Sequence, residues 1–460
     1  MKFYGREKQR ALLCKLFEQN GLQVVLLYGR RRVGKSELIK QVLRETKTRS
    51  LYYECKQTTE KSNVESLAEM VAQTYRFPPL AFKNTEEILD FLFRQGQQEP
   101  LVLVLDEYPY LRHGVQGMDS ILQSLADKYK ETSQLKLILC GSYLDVMHSL
   151  LEPANPLYGR VDRAIELLPM DYYESALFYP SFSPEDKVRL YSVFGGIPYY
   201  NRLIDPNLSV RENIRELIAS SGARLENEVA MYLRSEVARI VNANEVFETL
   251  AKGVYRFGDI LSQSHVSSSP TLADVLDKLI RMGLVRKDAP INGEKNRRKS
   301  GYLICDPLSL FWYRYCFRYA SQLRIMEPDA FYDLLIRDDF ESWYLPRAFE
   351  EICRQYLIRR NRAGKLQTPF TKIGKYWYDD PKHHRNGDLD LVTLDADGYI
   401  YYEAEFGNGP VTGAMMEQRI QQVNDTGLAC YRYAFISRSG FEKTWRNDVI
   451  QIAMKDLYEE

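Results

Sequence analysis

Two hydrophobic periods alternate along the first 140 residues of the chain. Apolar residues at positions 11, 12, 13, 16 and 17 repeat with the spacing of one helical face, which predicts a helix over 6–19. Continuous apolar runs, typical of strands buried on both faces, lie at 22–28, 51–55, 101–105 and 135–140. Helical spacing separates these runs, at 36–45, 62–75, 84–95 and 118–130. Strands that alternate with helices in this way predict a parallel sheet covered by helices.

The pattern changes after residue 170 and indicates further domains. It is helical to about 235, and three shorter helices are then predicted at 244–254, 257–264 and 270–282. Two strand-like pieces at 283–287 and 300–305 flank a basic loop, and three helices followed by a hairpin are the outline of a winged helix-turn-helix. The last part of the chain mixes both periods, with helices at 341–358 and 414–424 and strands at 388–394, 399–405 and 430–436.

Composition narrows the class of protein. The chain has 460 residues, 45% of them hydrophobic, which is enough for several cores. Its net charge is +0, so any binding to a polyanion must come from local basic patches. Seven cysteines without a C-x-x-C pair favour reduced thiols in the cytoplasm over disulfides or a zinc site. No apolar run approaches 18 residues and no secretory signal is recognisable, so we expect a cytoplasmic protein without a membrane span.

A phosphate-binding motif follows the first predicted strand. Residues 29–36 read GRRRVGKS, which matches G-x-x-x-x-G-K-[ST] in the strand–loop–helix context that this motif requires. Backbone N–H groups of the loop and the N-terminus of the next helix would bind the phosphates of ATP. Lys35 supplies a charge for the β- and γ-phosphates, and Ser36 supplies a hydroxyl for Mg²⁺. The predicted nucleotide-binding residues of this motif are Gly29, Arg30, Arg31, Arg32, Val33, Gly34, Lys35, Ser36 and Glu37.

Two acidic residues end the third predicted strand. Asp106 and Glu107 follow the run 101–105, at the edge of a parallel sheet where ligands bind. We expect Asp106 to hold the Mg²⁺ and Glu107 to orient and deprotonate the attacking water. The alternative is an acidic pair that only caps the next helix. A further strand at 51–55, between the loop strand and this one along the chain, favours an ATPase over a small-molecule kinase.

Three downstream residues are candidates for contact with the γ-phosphate. Ser142 follows the fourth predicted strand and could donate a hydrogen bond to the γ-phosphate or to the attacking water, or could be a plain turn serine. Arg160 and Arg163 lie in the stretch NPLYGRVDR, which is predicted as a loop. Either could act as an arginine finger that stabilises the transition state, or could be an ordinary surface arginine.

Several motifs occur together in one order. They are FYGRE at 3–7, GRRRVGKSEL, LVLVLDEYPYL, LILCGSYLDVM, NPLYGR and GGIPYY. Over roughly residues 2–320 the chain resembles the archaeal-type ATPase family, which is similar to the STAND branch of AAA-like NTPases. The resemblance implies that Tyr4, Gly5, Arg6 and Pro198 flank the adenine. It also implies that nucleotide state controls the position of the domains that follow.

The same family commonly ends in a domain of unknown function that is similar to PD-(D/E)XK nucleases. The matching carboxylates are Glu350, Asp390, Glu403 and Glu405, and their convergence would hold a second Mg²⁺ or Mn²⁺. A metal so held generates hydroxide and binds the scissile phosphate. The chain departs from the pattern at Glu405, where the family usually has a lysine. The alternative is an alternating strand whose charges lie in solvent.

Two basic segments are candidates for nucleic-acid contact. The loop of the predicted winged helix contains Arg297, Arg298 and Lys299, and such loops bind the phosphate backbone or only pack against a neighbouring domain. The segment 354–375 holds seven basic residues and no acidic one, which is typical of a surface that binds a polyanion. Arg359, Arg360 and Arg362 are its candidate contacts, and a solvated helix face is the alternative.

These features predict an α/β chain of four domains. We predict a P-loop NTPase parallel sheet at 1–168, a helical lid at 169–240, a winged helix at 241–322 and a restriction-endonuclease-like α/β domain at 323–460. The predicted function is a Mg²⁺-dependent ATPase that acts as a nucleotide-controlled switch, with DNA, a protein or a second copy of the chain as its partner. The alternatives are a metal-dependent DNA nuclease regulated by ATP and a non-catalytic regulator that binds DNA or protein.

Overall fold

The computed structural model describes residues 2–231, 240–294, 299–380, 385–442 and 449–459. It divides the chain into two compact units. The first unit contains Met1–Met170 together with the short segment Ile197–Tyr199, and the second contains Asp171–Gly196 together with Tyr200–Glu460. The first boundary lies close to the predicted end of the ATPase domain. The predicted lid, winged helix and carboxy-terminal domain belong to one compact unit, and the boundaries between them stay predictions.

The first unit is built on a five-stranded sheet in which all the strands are parallel. Its strands are β1 (Gln23–Tyr28), β2 (Arg49–Glu54), β3 (Leu101–Asp106), β4 (Leu135–Gly141) and β5 (Arg163–Glu166). Its helices are α1 (Glu7–Glu18), α2 (Lys35–Glu45), α3 (Glu60–Tyr75), α4 (Thr85–Gln98), α5 (Tyr108–Gly114), α6 (Met118–Tyr129) and α7 (Leu144–Ser149). The predicted parallel α/β sheet is therefore confirmed, and β5 is an additional strand that begins at Arg163, where a loop was predicted.

The order of the strands is β2-β3-β4-β1-β5. Strand β4 therefore separates the loop strand β1 from the acidic strand β3, whereas β2 lies at the edge of the sheet. The register pairs Tyr28 with Gly141, so the residues after β1 and β4 meet at the same edge. Alternate residues of the strands, such as Leu101, Leu103 and Leu105, pack into one apolar core with α3, α4 and α6. The other positions of β3 face the opposite side of the sheet.

The second unit begins with helices. They are α8 (Tyr172–Ala176), α9 (Pro184–Phe194), α10 (Pro198–Asn201, which starts in the first unit), α11 (Val210–Leu217), α12 (Ala243–Ala251), α13 (Phe257–Gln263) and α14 (Ser269–Arg281). The antiparallel hairpin of β6 (Val285–Asp288) and β7 (Gly301–Ile304) follows. Three helices and a hairpin thus occur in the order predicted for the winged helix. Next come α15 (Pro307–Phe311), α16 (Ala320–Ile325), α17 (Pro328–Leu335), α18 (Arg337–Asp339) and α19 (Leu345–Arg362), with π-helical turns at Trp312–Phe317 and Phe340–Tyr344.

A second five-stranded sheet occupies the carboxy-terminal part of this unit. It contains β8 (Lys372–Asp380), β9 (Arg385–Leu394), β10 (Tyr399–Glu405), β11 (Cys430–Ser437) and β12 (Val449–Ala453), in the order β12-β11-β10-β9-β8, with α20 (Gly413–Asp425) between β10 and β11. β8–β9 and β9–β10 are antiparallel, whereas β10–β11 and β11–β12 are parallel. This mixed sheet confirms an α/β carboxy-terminal part. Across the described ranges, no helix combines the length and the apolar character needed to cross a lipid bilayer.

Candidate nucleotide site and carboxy-terminal cleft

The phosphate-binding loop owes its shape to two glycines. Gly29 has φ +155° and Gly34 has φ +97°, and residues other than glycine rarely adopt these backbone conformations. A Cβ on Gly29 would lie 2.4 Å from the carbonyl oxygen of Leu167, which a real Cβ cannot do. The loop therefore turns tightly against the residue that follows β5. This explains in physical terms why the motif requires glycine at its first position.

Lys35 is the first residue of α2, and its side chain folds back over the loop. Its Nζ donates hydrogen bonds to the carbonyl oxygens of Gly29 at 2.7 Å and Arg30 at 3.1 Å. The side chain is 6% exposed, so the ammonium group is held inside the loop. The N-terminus of α2 lies at the same place, and its unpaired N–H groups favour an anion there. Charge and donors thus converge on the position predicted for the phosphates.

Asp106, at the end of β3, lies beside the loop. Ser36 Oγ donates to Asp106 Oδ2 at 2.7 Å, and the backbone N–H of Glu107 donates to Oδ1 at 3.0 Å. Burial tends to raise the pKa of Asp106, but hydrogen bonds from Tyr52, Cys140 and Ser36 outweigh it, so the pKa lies below its ordinary value. The carboxylate is therefore ionised. A hydroxyl and an ionised carboxylate in contact are the hard oxygen ligands that Mg²⁺ prefers, so the two residues fit the predicted ion.

Glu107 is held by the residue that follows β4. Ser142 is 3% exposed, and its Oγ lies 3.1 Å from each carboxylate oxygen of Glu107. Because β4 lies between β1 and β3, Ser142 is placed between the loop and the acidic strand. Glu107 has φ +50°, an uncommon backbone conformation for a residue with a side chain. The predicted base and the predicted γ-phosphate contact thus form one hydrogen-bonded pair.

Two segments outside the motif also reach the loop. Arg6 Nη2 donates to the carbonyl oxygen of Val33 at 3.3 Å. Pro198 Cγ lies 3.8 Å from a Cβ placed on Gly34, and the guanidinium of Arg32 lies 4.2 Å from the ring centroid of Tyr199. The segments around Arg6 and Pro198, which the resemblance places next to the adenine, therefore both contact the phosphate loop. Their contact with the base, like that of Tyr4 and Gly5, stays a prediction.

The two candidate arginine fingers lie elsewhere in the first unit. The guanidinium of Arg160 binds Asp127 of α6 at 2.8 Å and also donates to backbone carbonyls. Arg163 pairs in register with Val25, three residues before β1 ends at Tyr28. At about 3.3 Å per residue, Arg163 is roughly 10 Å short of the loop along the strand direction. The structure therefore does not bring either arginine to the phosphate loop.

Comparison with known proteins identifies the first part of the chain. Residues 3–203 match a family model described as an ATPase domain predominantly from Archaea. The amino-terminal part of the chain is an archaeal-type ATPase domain. Residues 312–418 match a second family model, described as archaeal and bacterial proteins of unknown function. The resemblance of the carboxy-terminal part to PD-(D/E)XK nucleases stays a prediction.

One relative in sequence and two solved structures are similar to the chain over two thirds or more of its length. An uncharacterized protein of Methanocaldococcus jannaschii is 26% identical over 394 residues, which cover 85% of this chain and 84% of the relative. Among solved structures, a Walker-type ATPase of Pyrococcus abyssi has a TM-score of 0.50 at 20% identity and covers 68% of this chain and 96% of its own. The ORC2 protein of Aeropyrum pernix, solved in ADPNP and ADP complexes, also has a TM-score of 0.50, at 13% identity, and covers 68% of this chain and 92% of its own. These two likenesses support the fold.

The carboxy-terminal carboxylates of the ATPase line neighbouring clefts. Asp390 and Glu403 line a cleft of about 330 Å³, and Glu403 and Glu405 line a smaller one of about 160 Å³. Lys375 Nζ binds Asp390 at 3.2 Å, and Arg419 binds Glu403 at 2.7 Å. Side-chain cations thus bind Asp390 and Glu403, two of the four carboxylates that were predicted to hold metal. Within the described part of the chain, no group of three or more His, Cys, Asp or Glu side chains is arranged to hold a metal ion.

Glu350 belongs to the same charged cluster. Burial, followed by the nearby charge of Asp390, raises the pKa of Glu350 to about 8. The cations Lys375 and Arg347 oppose this shift but do not cancel it. Glu350 is therefore protonated at neutral pH, which lowers the negative charge of the cluster. A protonated carboxyl group is a poor ligand for Mg²⁺.

The loop of the predicted winged helix docks on the edge strand β8. The Ile291 backbone N–H donates to the Lys375 carbonyl at 2.8 Å. The side-chain amide of Asn292 donates to the Trp377 carbonyl at 2.8 Å and accepts from the Trp377 backbone N–H at 3.0 Å. The ammonium of Lys299 lies 5.2 Å from the Trp377 ring centroid. This part of the loop therefore packs within its own unit, while Arg297 and Arg298 lie outside the described residues.

The basic segment 354–375 is partly neutralised by acids from other elements. Arg359 binds Asp171 at 3.2 Å and stacks on Tyr173, so its charge serves the packing of α8 against α19. Three further members have carboxylate partners as well, namely Arg354 with Glu351, Lys372 with Glu294 and Lys375 with Asp390. The pairing could not be foreseen, because every acidic partner except Glu351 is distant in sequence. Arg360 and Arg362 are the remaining predicted contacts of this segment.

Proposed function

We propose that this ATPase is Mg²⁺-dependent and works as a nucleotide-controlled switch. The observation that carries the proposal is the contact of Ser36 with Asp106 at 2.7 Å beside the loop that holds Lys35. Ser36 and Asp106 would hold the ion, which would neutralise charge on the transferred phosphoryl group. Glu107 would accept a proton from the attacking water. The Aeropyrum pernix ORC2 protein, which shares the fold, was solved with ADPNP and ADP, and this supports ATP as the nucleotide here.

The path of the chain supports the switch. Ile197–Tyr199 belongs to the first unit, whereas the residues before and after it belong to the second. Within the first unit this segment meets the loop, through Pro198 at Gly34 and Tyr199 at Arg32. The segment that contacts the loop is therefore joined at both ends, through Gly196 and Tyr200, to residues of the second unit. We expect nucleotide state to reach the second unit through Ile197–Tyr199.

The switch can be tested by hydrogen exchange on the full chain with ADP, with a non-hydrolysable ATP analogue and without nucleotide. We expect the α9 and α10 peptides to differ between the two nucleotides in the wild type. The difference should shrink in Tyr199→Ala, which should still bind nucleotide. A Tyr158→Ala variant is the matched control, because Tyr158 is an exposed tyrosine of the first unit, 53% accessible. Identical exchange with both nucleotides in the wild type would contradict the switch.

We propose that the arginine finger comes from a partner. Arg160 is bound to Asp127 and Arg163 lies beside the middle of β1, so we propose that a second copy of the chain or a protein partner completes the site. If a second copy does so, turnover per molecule should rise with protein concentration. Constant turnover over a hundredfold range would leave a separate partner or an arginine of the second unit as the source. Substitution of the arginines of the second unit, one at a time, would distinguish these two.

We further propose that DNA is bound through the end of α19. Arg360 and Arg362 lie in its last turn, and Arg360 Nη2 donates to the backbone carbonyl of Lys365 at 3.5 Å, so a third basic residue follows close to this turn. Such a group would bind the phosphate backbone without reading sequence. Binding should weaken with salt and fall several-fold in Arg360→Ala/Arg362→Ala. Arg359→Ala should have less effect, because Asp171 already neutralises Arg359.

A DNA nuclease is the second candidate function. The favouring observation is Lys375, which reaches Asp390 from β8 and places a cation at the carboxylates, although Glu405 stands where PD-(D/E)XK nucleases usually have a lysine. Against it, Arg419 already binds Glu403 and Glu350 is protonated at neutral pH, so the ATPase is better supported. The nuclease predicts nicking of plasmid with Mn²⁺ or Mg²⁺ that is lost in Asp390→Ala and in Glu403→Ala. If the plasmid stays intact with every metal and nucleotide, the nuclease is contradicted and the ATPase switch is the function that remains.

A further inference from the structure

Tyr52 is a polar contact of Asp106 that no motif includes. It lies on β2, in register with Val104 of β3, so its ring lies on the same face of the sheet as Asp106, two residues further along. Its hydroxyl donates a hydrogen bond to Asp106 Oδ2, the oxygen that also accepts from Ser36. Lys40 of α2 lies over its ring, 4.9 Å from the centroid. Tyr52 thus links the edge strand, the acidic strand and the helix that follows the phosphate loop.

The neighbouring tyrosine shows what a purely structural role looks like in the same strand. Tyr53 points to the opposite face, is 3% exposed and packs into the apolar core of the sheet. Its hydroxyl donates to Asn63 at 2.7 Å, within the packing of α3 on the sheet. Two adjacent tyrosines therefore use their hydroxyls differently. Tyr53 donates a hydrogen bond to the buried side-chain amide of Asn63, whereas Tyr52 donates one to the Asp106 carboxylate beside the phosphate loop.

Both oxygens of Asp106 have fixed donors. Oδ1 accepts from the backbone N–H of Glu107, and Oδ2 accepts from Ser36 and Tyr52. An ion held by Ser36 would use a lone pair of its oxygen and would leave the hydroxyl proton to donate to Asp106. Tyr52 is the second side-chain donor to Oδ2 and comes from a different strand, so the two hydroxyls together fix the orientation of the carboxylate.

We infer that Tyr52 is a positioning residue for the metal–nucleotide site, which orients the Asp106 carboxylate so that metal and nucleotide bind together. The inference rests on the proposed Mg²⁺ dependence. It assigns to Tyr52 no contact with the nucleotide. Loss of the hydroxyl should therefore affect the part of nucleotide affinity that depends on Mg²⁺ and leave the metal-free part unchanged.

The experiment is calorimetry of ADP binding to the full chain, with EDTA and with saturating Mg²⁺, for the wild type, Tyr52→Phe and Tyr53→Phe. In the wild type we expect Mg²⁺ to tighten binding. Tyr52→Phe should bind ADP in EDTA within about twofold of the wild type but lose about three- to tenfold of the gain from Mg²⁺, because a hydrogen bond to a charged group is removed. Tyr53→Phe should keep the full gain, although it should be less stable.

Each other result has a definite meaning. A full gain in Tyr52→Phe would overturn the inference. An equal loss of affinity with and without Mg²⁺ would also overturn it, because Tyr52 would then support the loop rather than the metal. A wild type that binds ADP with the same affinity under both conditions would contradict the proposed Mg²⁺ dependence instead. Lys40→Met, which removes the cation over the ring and keeps the hydroxyl, should retain the gain.

Discussion

Ser142 Oγ lies 3.1 Å from both carboxylate oxygens of Glu107. The hydroxyl sits at the end of β4, the strand that separates the phosphate-loop strand from the acidic strand. A hydroxyl shared by both oxygens fixes the rotation of the carboxylate. It thereby ties Glu107, the proposed base, to the strand that lies next to the phosphate-loop strand. Two predictions on turnover follow from this pair and its neighbours.

The pair predicts a separation of binding from turnover. Ser142→Ala should lower kcat about tenfold, because one hydrogen bond that orients a charged group is lost, and should leave nucleotide affinity near that of the wild type. Glu107→Gln should bind ATP and lower kcat by roughly 10²- to 10⁴-fold, the usual contribution of a general base. Steady-state hydrolysis and calorimetry on the same preparations check both. A faster Ser142→Ala enzyme would mean that the hydroxyl restrains Glu107 instead of positioning it.

The contact of Gly29 with Leu167 predicts a large effect of one methyl group. Gly29→Ala should abolish nucleotide binding and lower the free energy of unfolding by about 2 kcal/mol or more, because the backbone strain adds to a clash with a carbonyl oxygen. Gly159→Ala is the matched control, since Gly159 has φ +73° but open space where a Cβ would lie. It should cost only about 1 kcal/mol from backbone strain. Equal losses in urea unfolding of the two variants would argue against the clash.

The docking of the loop on β8 predicts that Asn292 is structural. Asn292→Ala removes both hydrogen bonds to the Trp377 backbone and should destabilise the second unit by about 1–3 kcal/mol. Hydrogen exchange of the Trp377 amide should become faster, because its acceptor is lost. Asn207→Ala is a suitable control, since Asn207 is exposed and its side-chain amide donates to Asp205, two residues away. An unchanged Trp377 amide would show that the loop is not held in this way.

Glu350 predicts a pH dependence of stability. Its pKa is raised to about 8 in the folded chain, above the ordinary value near 4.5, so the folded state binds more protons between these two pH values. Its contribution is therefore present below pH 4.5 and is lost as the pH rises to about 8. Glu350→Gln should flatten the decline in the free energy of unfolding between about pH 5 and pH 8. Identical slopes for the two proteins in urea titrations would contradict the assignment.

The elements around the predicted nucleotide site could be predicted from local sequence. Strand, loop and helix are contiguous around Lys35, and a run of apolar residues places Asp106 at the end of a strand. Tyr52 was missed, because its role depends on the register of an edge strand with β3, which no short motif encodes. The charged contacts of the carboxy-terminal part were harder to predict, because they too depend on the register of neighbouring strands. The strand β8, which brings Lys375 to Asp390, begins within the segment 354–375, which was interpreted only as basic.

The central claim is that the first unit binds ATP at the loop that contains Lys35. The most direct measurement is calorimetry of ATP binding, with Mg²⁺, to the wild type and to Lys35→Ala. The account predicts one saturable site in the wild type and a loss of affinity of about 100-fold in the variant, because the only lysine of the loop is removed. No binding to the wild-type chain, or equal affinity for both proteins, would contradict it.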